Sequence, residues 1–170
     1  MKIIKTTATG LKGQIKLGVL PAILLFAMCA FVTETQAQSG IITVRGGNIT
    51  MNITTGAAGS QPVAVTNTIT SLRYWRQAKI AKITVKTTCP TQAFNLQVVA
   101  TGVTYGVAAP AVSLTNGMLA VDFITNIPST GTWTNTTPTL QYTASATFAQ
   151  GNSAELGNDL HTLTYTLVVQ

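Results

Sequence analysis

His161 is the only histidine in this 170-residue sequence, and it stands two residues after Asp159. An imidazole near a carboxylate is the pair from which a general base and its orienting group are built. The same pair also suits a solvated strand end, and that reading is favoured here. Asp122 and Glu155 are the only other acids after residue 37. Hydrolysis and group transfer need a positioned acid, base, nucleophile or metal, and these few groups supply little of it. Cys89 could act as a reactive thiol or an intermolecular bridge. Its parity with Ile83 and Val85 instead places it as a small buried core residue. The sequence holds no His/Cys cluster of the zinc kind, and no Gly-rich loop opens a helix to cradle a phosphate. The chain is therefore expected not to be an enzyme and to use no cofactor.

The chemistry that remains is recognition. Arg73, Tyr74, Trp75, Arg76 and Lys79, with Lys82 and Lys86 beyond them, form the one cluster of charge. Such a patch could bind an anionic glycan or lipopolysaccharide, or dock a second subunit. All acids after residue 37 lie between 122 and 159, so basic and acidic halves could attract each other head to tail. The alternative is a solvated strand with a lysine-guarded edge. A second candidate is the stretch holding Ile42, Val44, Ile49, Met51 and Ile53, which could add a strand to a neighbouring subunit. Ile42 and Val44 share one parity and the other three share the opposite one, with the slip at Gly46-Gly47. A single long donor strand would keep its parity, so the slip favours a hairpin or bulge. The sequons at Asn48, Asn52 and Asn135 arise readily by chance in a chain this rich in Thr and Asn.

These residues sit in a chain whose dominant period is two. Ile83, Val85 and Cys89 alternate with Lys82, Thr84 and Lys86, and Leu140, Tyr142, Ala144, Ala146 and Phe148 alternate with polar residues. Leu163, Tyr165, Leu167 and Val169 do the same near the end. Successive side chains of a strand point to opposite faces, so each run has a core face and a wet face. About eight or nine strands are expected, at 41–45, 48–54, 62–70, 79–88, 93–102, 111–115, 118–124, 139–148 and 160–169. Ser71 to Lys79 fits one helical turn or a strand equally well. Asn116-Gly117 predicts a tight hairpin between its flanking runs. Gly106–Pro110, Pro128–Gly131 and Ala57–Pro62 are expected loops. Many short antiparallel strands without helices imply an all-β sandwich or barrel, and the sandwich is preferred. The few aromatics form no paired girdles, which argues against a membrane barrel.

The first 37 residues set the compartment. Lys2, Lys5, Lys12 and Lys16 precede an apolar run from Leu17 to Val32, too short to span a bilayer comfortably, and small Thr35 and Ala37 follow. The expectation is a cleaved signal peptide over 1–37 and a single domain over 38–170, exported through the periplasm to the cell surface or medium. A lipid on Cys29 is disfavoured by Met28 before it, and the apolar stretch after Lys-Gly-Gln at 12–14 lacks the early glutamate of a type IV pilin. Removing the leader leaves Arg45, Arg73, Arg76, Lys79, Lys82 and Lys86 against Asp122, Glu155 and Asp159, six minus three, or about +3. That is too little to argue for nucleic acid. Thr makes up about a fifth of the mature chain and supplies a neutral, hydroxyl-bearing strand surface. No stable membrane span is expected after cleavage.

The tail carries a resemblance. Tyr142-Thr-Ala-Ser-Ala-Thr-Phe148, then Gly157-Asn-Asp159, then His161-Thr-Leu-Thr-Tyr-Thr-Leu167 resembles the last two strands of small secreted bacterial β-sandwich subunits. Chaperone–usher pilins and spore-coat-U-like domains end in this way. The resemblance implies an immunoglobulin-like sandwich that assembles into a surface fibre by strand exchange, with related subunits and a periplasmic chaperone as partners. The expected role is a structural subunit of a surface appendage or coat. The alternative is a monomeric adhesin or carbohydrate-binding module that uses the Tyr74-Trp75 surface.

Overall fold

A computed structural model describes residues 5–9, 40–54, 59–76, 79–129, 137–150 and 156–170, with the first stretch described as a backbone path. The rest of the leader, Cys29, half of the Pro128–Gly131 loop, Asn135, Glu155 and part of the Ala57–Pro62 connector lie outside the described residues. Among the described residues the strands are β1 (Lys5–Thr9), β2 (Gly40–Arg45), β3 (Val65–Arg76), β4 (Ala81–Thr88), β5 (Asn95–Thr101), β6 (Val107–Ala108), β7 (Val112–Ser113), β8 (Val121–Ile127), β9 (Thr139–Ser145) and β10 (Thr162–Val169). A short 3-10 turn covers Phe148–Gln150. No helix among these residues is long and apolar enough to cross a membrane.

The strands form two five-stranded sheets, in the orders β1-β10-β4-β8-β6 and β2-β3-β9-β5-β7. Every pairing is antiparallel except that of β1 with β10. This is an all-β sandwich. Its second sheet, without β7, runs in the A-B-E-D order of an immunoglobulin-type sandwich if β2, β3, β5 and β9 are lettered A, B, D and E. β4 and β10 then take the places of strands C and F.

Alternation builds the core. Leu140, Tyr142 and Ala144 of β9 and Leu163 and Tyr165 of β10 are fully buried, while the threonines between them are half-buried on the outer faces. Tyr142 and Tyr165 come from different sheets, and their hydroxyls meet at 2.9 Å across the sandwich. Phe123 packs tilted on the Tyr165 ring at a centroid distance of 5.5 Å, a geometry that adds to plain area burial.

Three local expectations change, and a fourth point left open is decided. Residues 48–54 are not a regular strand, although Ile49 and Met51 are buried. Ser71–Arg76 continues β3, so the strand reading of that stretch holds and the helical one does not. Val107–Ala108, within an expected loop, makes a short rung with β8. The turn at Asn116-Gly117 forms, with Gly117 at φ 74°, but it does not close a hairpin. β7 before it pairs with β5, and β8 after it pairs with β4 and β6 in the other sheet. A tight turn fixes a reversal. Three further residues, 118–120, then let the chain cross to the opposite layer.

Candidate functional site

The N-terminal segment is built into its own domain. β2 pairs with β3 from Gly40 against Arg76 to Arg45 against Ser71. Ile42 is buried and Val44 partly so; Ile49 and Met51 are buried beyond the glycines, with Ile53 partly buried against the same core. Gly46 at φ 106° and Gly47 at φ 72° make the break in parity. A side chain at Gly46 would meet the Ile69 carbonyl oxygen at 2.4 Å, so only glycine fits there. The slip places both apolar sets on the core.

The basic cluster is divided between faces. Along β3, Tyr74 and Arg76 point inward and Arg73 and Trp75 lie half-buried on the other side. The Tyr74 hydroxyl donates to the Tyr105 carbonyl at 2.6 Å, and burial pushes its pKa up to about 12. The Arg76 Nε donates to the carbonyl of Lys79 at 2.8 Å. Tyr74 and Trp75 therefore share no aromatic shelf. Lys82 and Lys86 belong to β4 in the other sheet, an interior strand between β10 and β8 rather than a guarded edge. Lys82 pairs with Asp122 at 2.8 Å on that sheet's surface.

Asp159 and His161 are not a solvated strand end. Both are buried, and so is Cys89. The segment before β10 folds over the turn that follows β4, and the Asp159 carboxylate accepts the amides of Ala93 at 2.9 Å and Phe94 at 2.8 Å. The same turn is held from a third side. The Cys89 amide donates to Asn116 Oδ1 at 2.9 Å, and the Asn116 amide donates to Gln92 Oε1 at 2.6 Å. One donor atom each from Cys89, Asp159 and His161 lie within 4.8 Å of one another. Burial lowers the His161 pKa, with Asp159 opposing that shift, so the imidazole rests neutral. Burial and then the Asp159 charge raise the Cys89 pKa, so the sulfur rests as a thiol. Sequence reasoning missed this cluster because its parts lie 70 residues apart. The one local signal was the Cys89-Pro90 strand break, which predicts a turn without saying what covers it.

The outer edge of β10 is the remaining feature. On its inner side β10 pairs with β4 over all eight residues, Thr162 to Val169. On its outer side it meets Lys5–Thr9, in parallel, from Lys5 against Thr162 to Thr9 against Thr166. That stretch also runs beside β2, so it covers the seam between the two sheets. Gly40 closes the same corner: a Cβ there would lie 2.7 Å from Leu167 Cδ2.

No family model, curated protein or solved structure matches the chain.

Proposed function

We propose that the chain is a non-catalytic structural subunit of a bacterial surface appendage or coat, and that it assembles by accepting an extended strand on the outer edge of β10. The observation that carries this reading is the identity of the strand now at that edge. With β4 and β10 in the places of C and F, the position beside β10 is that of the last immunoglobulin strand, G. Lys5–Thr9 holds it, and these residues belong to the stretch read as an export leader. Removal of the leader strips β10 of its outer partner and opens the seam above β2. A row of backbone amides and carbonyls is then left to pair with a segment of a neighbouring subunit.

The character of the edges supports the choice of β10. β6 and β7 are two residues long, and β2 ends in Arg45 and the Gly46-Gly47 break. Shortness, charge and bulges are the ordinary protections against strand addition. Thr162-Leu-Thr-Tyr-Thr-Leu-Val-Val169 has none of them. The sequence resemblance of this tail to secreted β-sandwich subunits points the same way. The adhesin alternative has less to stand on, since its aromatic surface is split between two faces of β3.

The test uses the closeness of two chain positions. Thr9 pairs with Thr166 and Gly40 lies against Leu167, so residues 10–39 leave and return at one corner. A variant in which a short Gly/Ser linker replaces residues 10–39 should keep its own strand on β10 and sediment as a monomer. The chain from Gln38 onward should form multimers under the same conditions. A monomeric Gln38 chain at high concentration sinks the reading.

A further inference from the structure

We propose that Cys89, Asp159 and His161 bind one divalent transition-metal ion of the zinc type. A thiolate, an imidazole nitrogen and a carboxylate oxygen are the three ligand classes zinc takes, and here one of each converges in a buried space. Tetrahedral zinc with its usual bond lengths holds neighbouring ligand atoms about 3.3–3.6 Å apart. The three atoms lie within 4.8 Å of each other, so closure asks for a contraction on the order of 1 Å. All three ligands sit outside the strands, Cys89 on the turn after β4 and Asp159 and His161 on the segment before β10, and these two segments can approach without breaking a sheet.

Thr87 Oγ1 lies 3.1 Å from His161 Nδ1 and 3.5 Å from the Thr162 carbonyl oxygen, so the ring is held through Nδ1. Nε2 is buried and without a hydrogen-bond partner. Metal ligation takes the tautomer with the proton on Nδ1, in which the Thr87 hydroxyl accepts from the ring and Nε2 offers its lone pair. A buried nitrogen left unpaired costs free energy, which a cation on that lone pair offsets. An imidazole fixed through one nitrogen by a neighbour and free at the other is the usual state of a metal-ligating histidine.

The other two ligands fit the same occupant. Each Asp159 oxygen accepts one backbone amide, which leaves a lone pair on each for a cation. The amides of Thr91 and Leu160 face the Cys89 sulfur and would support it as a thiolate. Carboxylate, thiolate and a doubly charged ion sum to zero, which removes the penalty of an uncompensated buried charge. Binding forms a metal–sulfur bond and breaks the sulfur–hydrogen bond, so one proton leaves to solvent for each ion bound. Three protein ligands leave a fourth position for water.

The probe is cobalt(II), whose spectrum reports both thiolate ligation and geometry. The exported protein, treated with chelator, is titrated with cobalt directly and also refolded in its presence, since the site is closed to solvent. The expected result is one cobalt per chain with a thiolate-to-metal charge-transfer band and intense visible bands of a four-coordinate ion. Zinc should displace it one for one, and zinc added to metal-free protein should release one proton and raise the melting temperature. Cys89→Ser should abolish the charge-transfer band, and His161→Gln should weaken binding by at least tenfold. If either variant fails to fold, the spectrum and proton release of the unaltered protein decide. Absence of the band under both loading conditions overturns the site. So does a band whose affinity is unchanged in folded His161→Gln and Asp159→Asn, which would mean a thiol binding metal alone.

Discussion

Asp159 carries a carboxylate into the interior, and what it holds there is backbone. The amides of Ala93 and Phe94 both donate to that carboxylate, and the turn between β4 and β5 is anchored by it. Asp159→Ala should orphan both donors in a buried space, at about 1–3 kcal/mol for each. Asp159→Asn keeps one acceptor oxygen and should cost less. Urea denaturation of the two variants checks this, and equal small losses would show the turn to be held by Asn116 and Gln92 alone. Tyr74 gives the pH dependence. Its phenol is pushed up to about 12 from an ordinary 10.0 because burial disfavours the phenolate. The unfolded chain therefore gives up this proton first as pH rises. The stability Tyr74 contributes is complete below pH 10 and is lost as pH climbs through about 12. In alkaline titration read by tyrosinate absorbance, Tyr74→Phe should remove part of that loss. It should also lower stability near neutrality by about 1 kcal/mol, the usual worth of the hydrogen bond to Tyr105.

At the scale of the element, alternation was the legible part of the sequence. Ile83 and Val85 in β4, Leu140 and Tyr142 in β9, and Leu163 and Tyr165 in β10 all face the core, because a period of two admits only that assignment once one face is buried. The parity slip at Gly46-Gly47 was legible for the same reason. Partnership between strands was not. Asn116-Gly117 specifies a turn, and nothing local specifies that the strands on either side join different sheets. The Cys89–Asp159–His161 cluster was hidden likewise, since turn 89–94 and segment 159–161 meet only after β4 and β10 have paired. Leu167 shows the reach of periodicity near an edge: it shares the core parity yet is only partly buried. Leu163→Ala, at a fully buried position, should therefore cost about 2–5 kcal/mol. Thr164→Ala on the outer face should cost under about 1 kcal/mol. Leu167→Ala should fall between them, and thermal melts of the three variants order the strand.

For the whole molecule, the question is which forces are left to join one copy to another. Charge is a weak candidate. Of the two described acids after residue 37, Asp122 is paired with Lys82 and Asp159 is buried against backbone amides, so neither is free to meet a basic neighbour. Surface charge pairs also weaken as salt shortens the screening length to about 8 Å at physiological strength. Strand addition at β10 relies instead on backbone hydrogen bonds and on apolar contact at the uncovered seam, which salt does not screen. Multimers of the Gln38 chain should therefore keep their sedimentation profile as salt rises from about 0.05 M to 0.5 M, a range over which charge-held contacts loosen. The N-terminal segment separates assembly from folding. Ile42, Ile49 and Met51 are part of the core of their own chain, so removing residues 38–54 takes buried apolar surface from the sandwich itself. That deletion should unfold the domain, seen as loss of its cooperative thermal transition, and should not yield a soluble monomer that a peptide restores to multimers. A folded, monomeric deletion product that reassembles when the peptide is added back would instead make residues 41–53 the exchanged strand, and β10 would lose its place as the accepting edge.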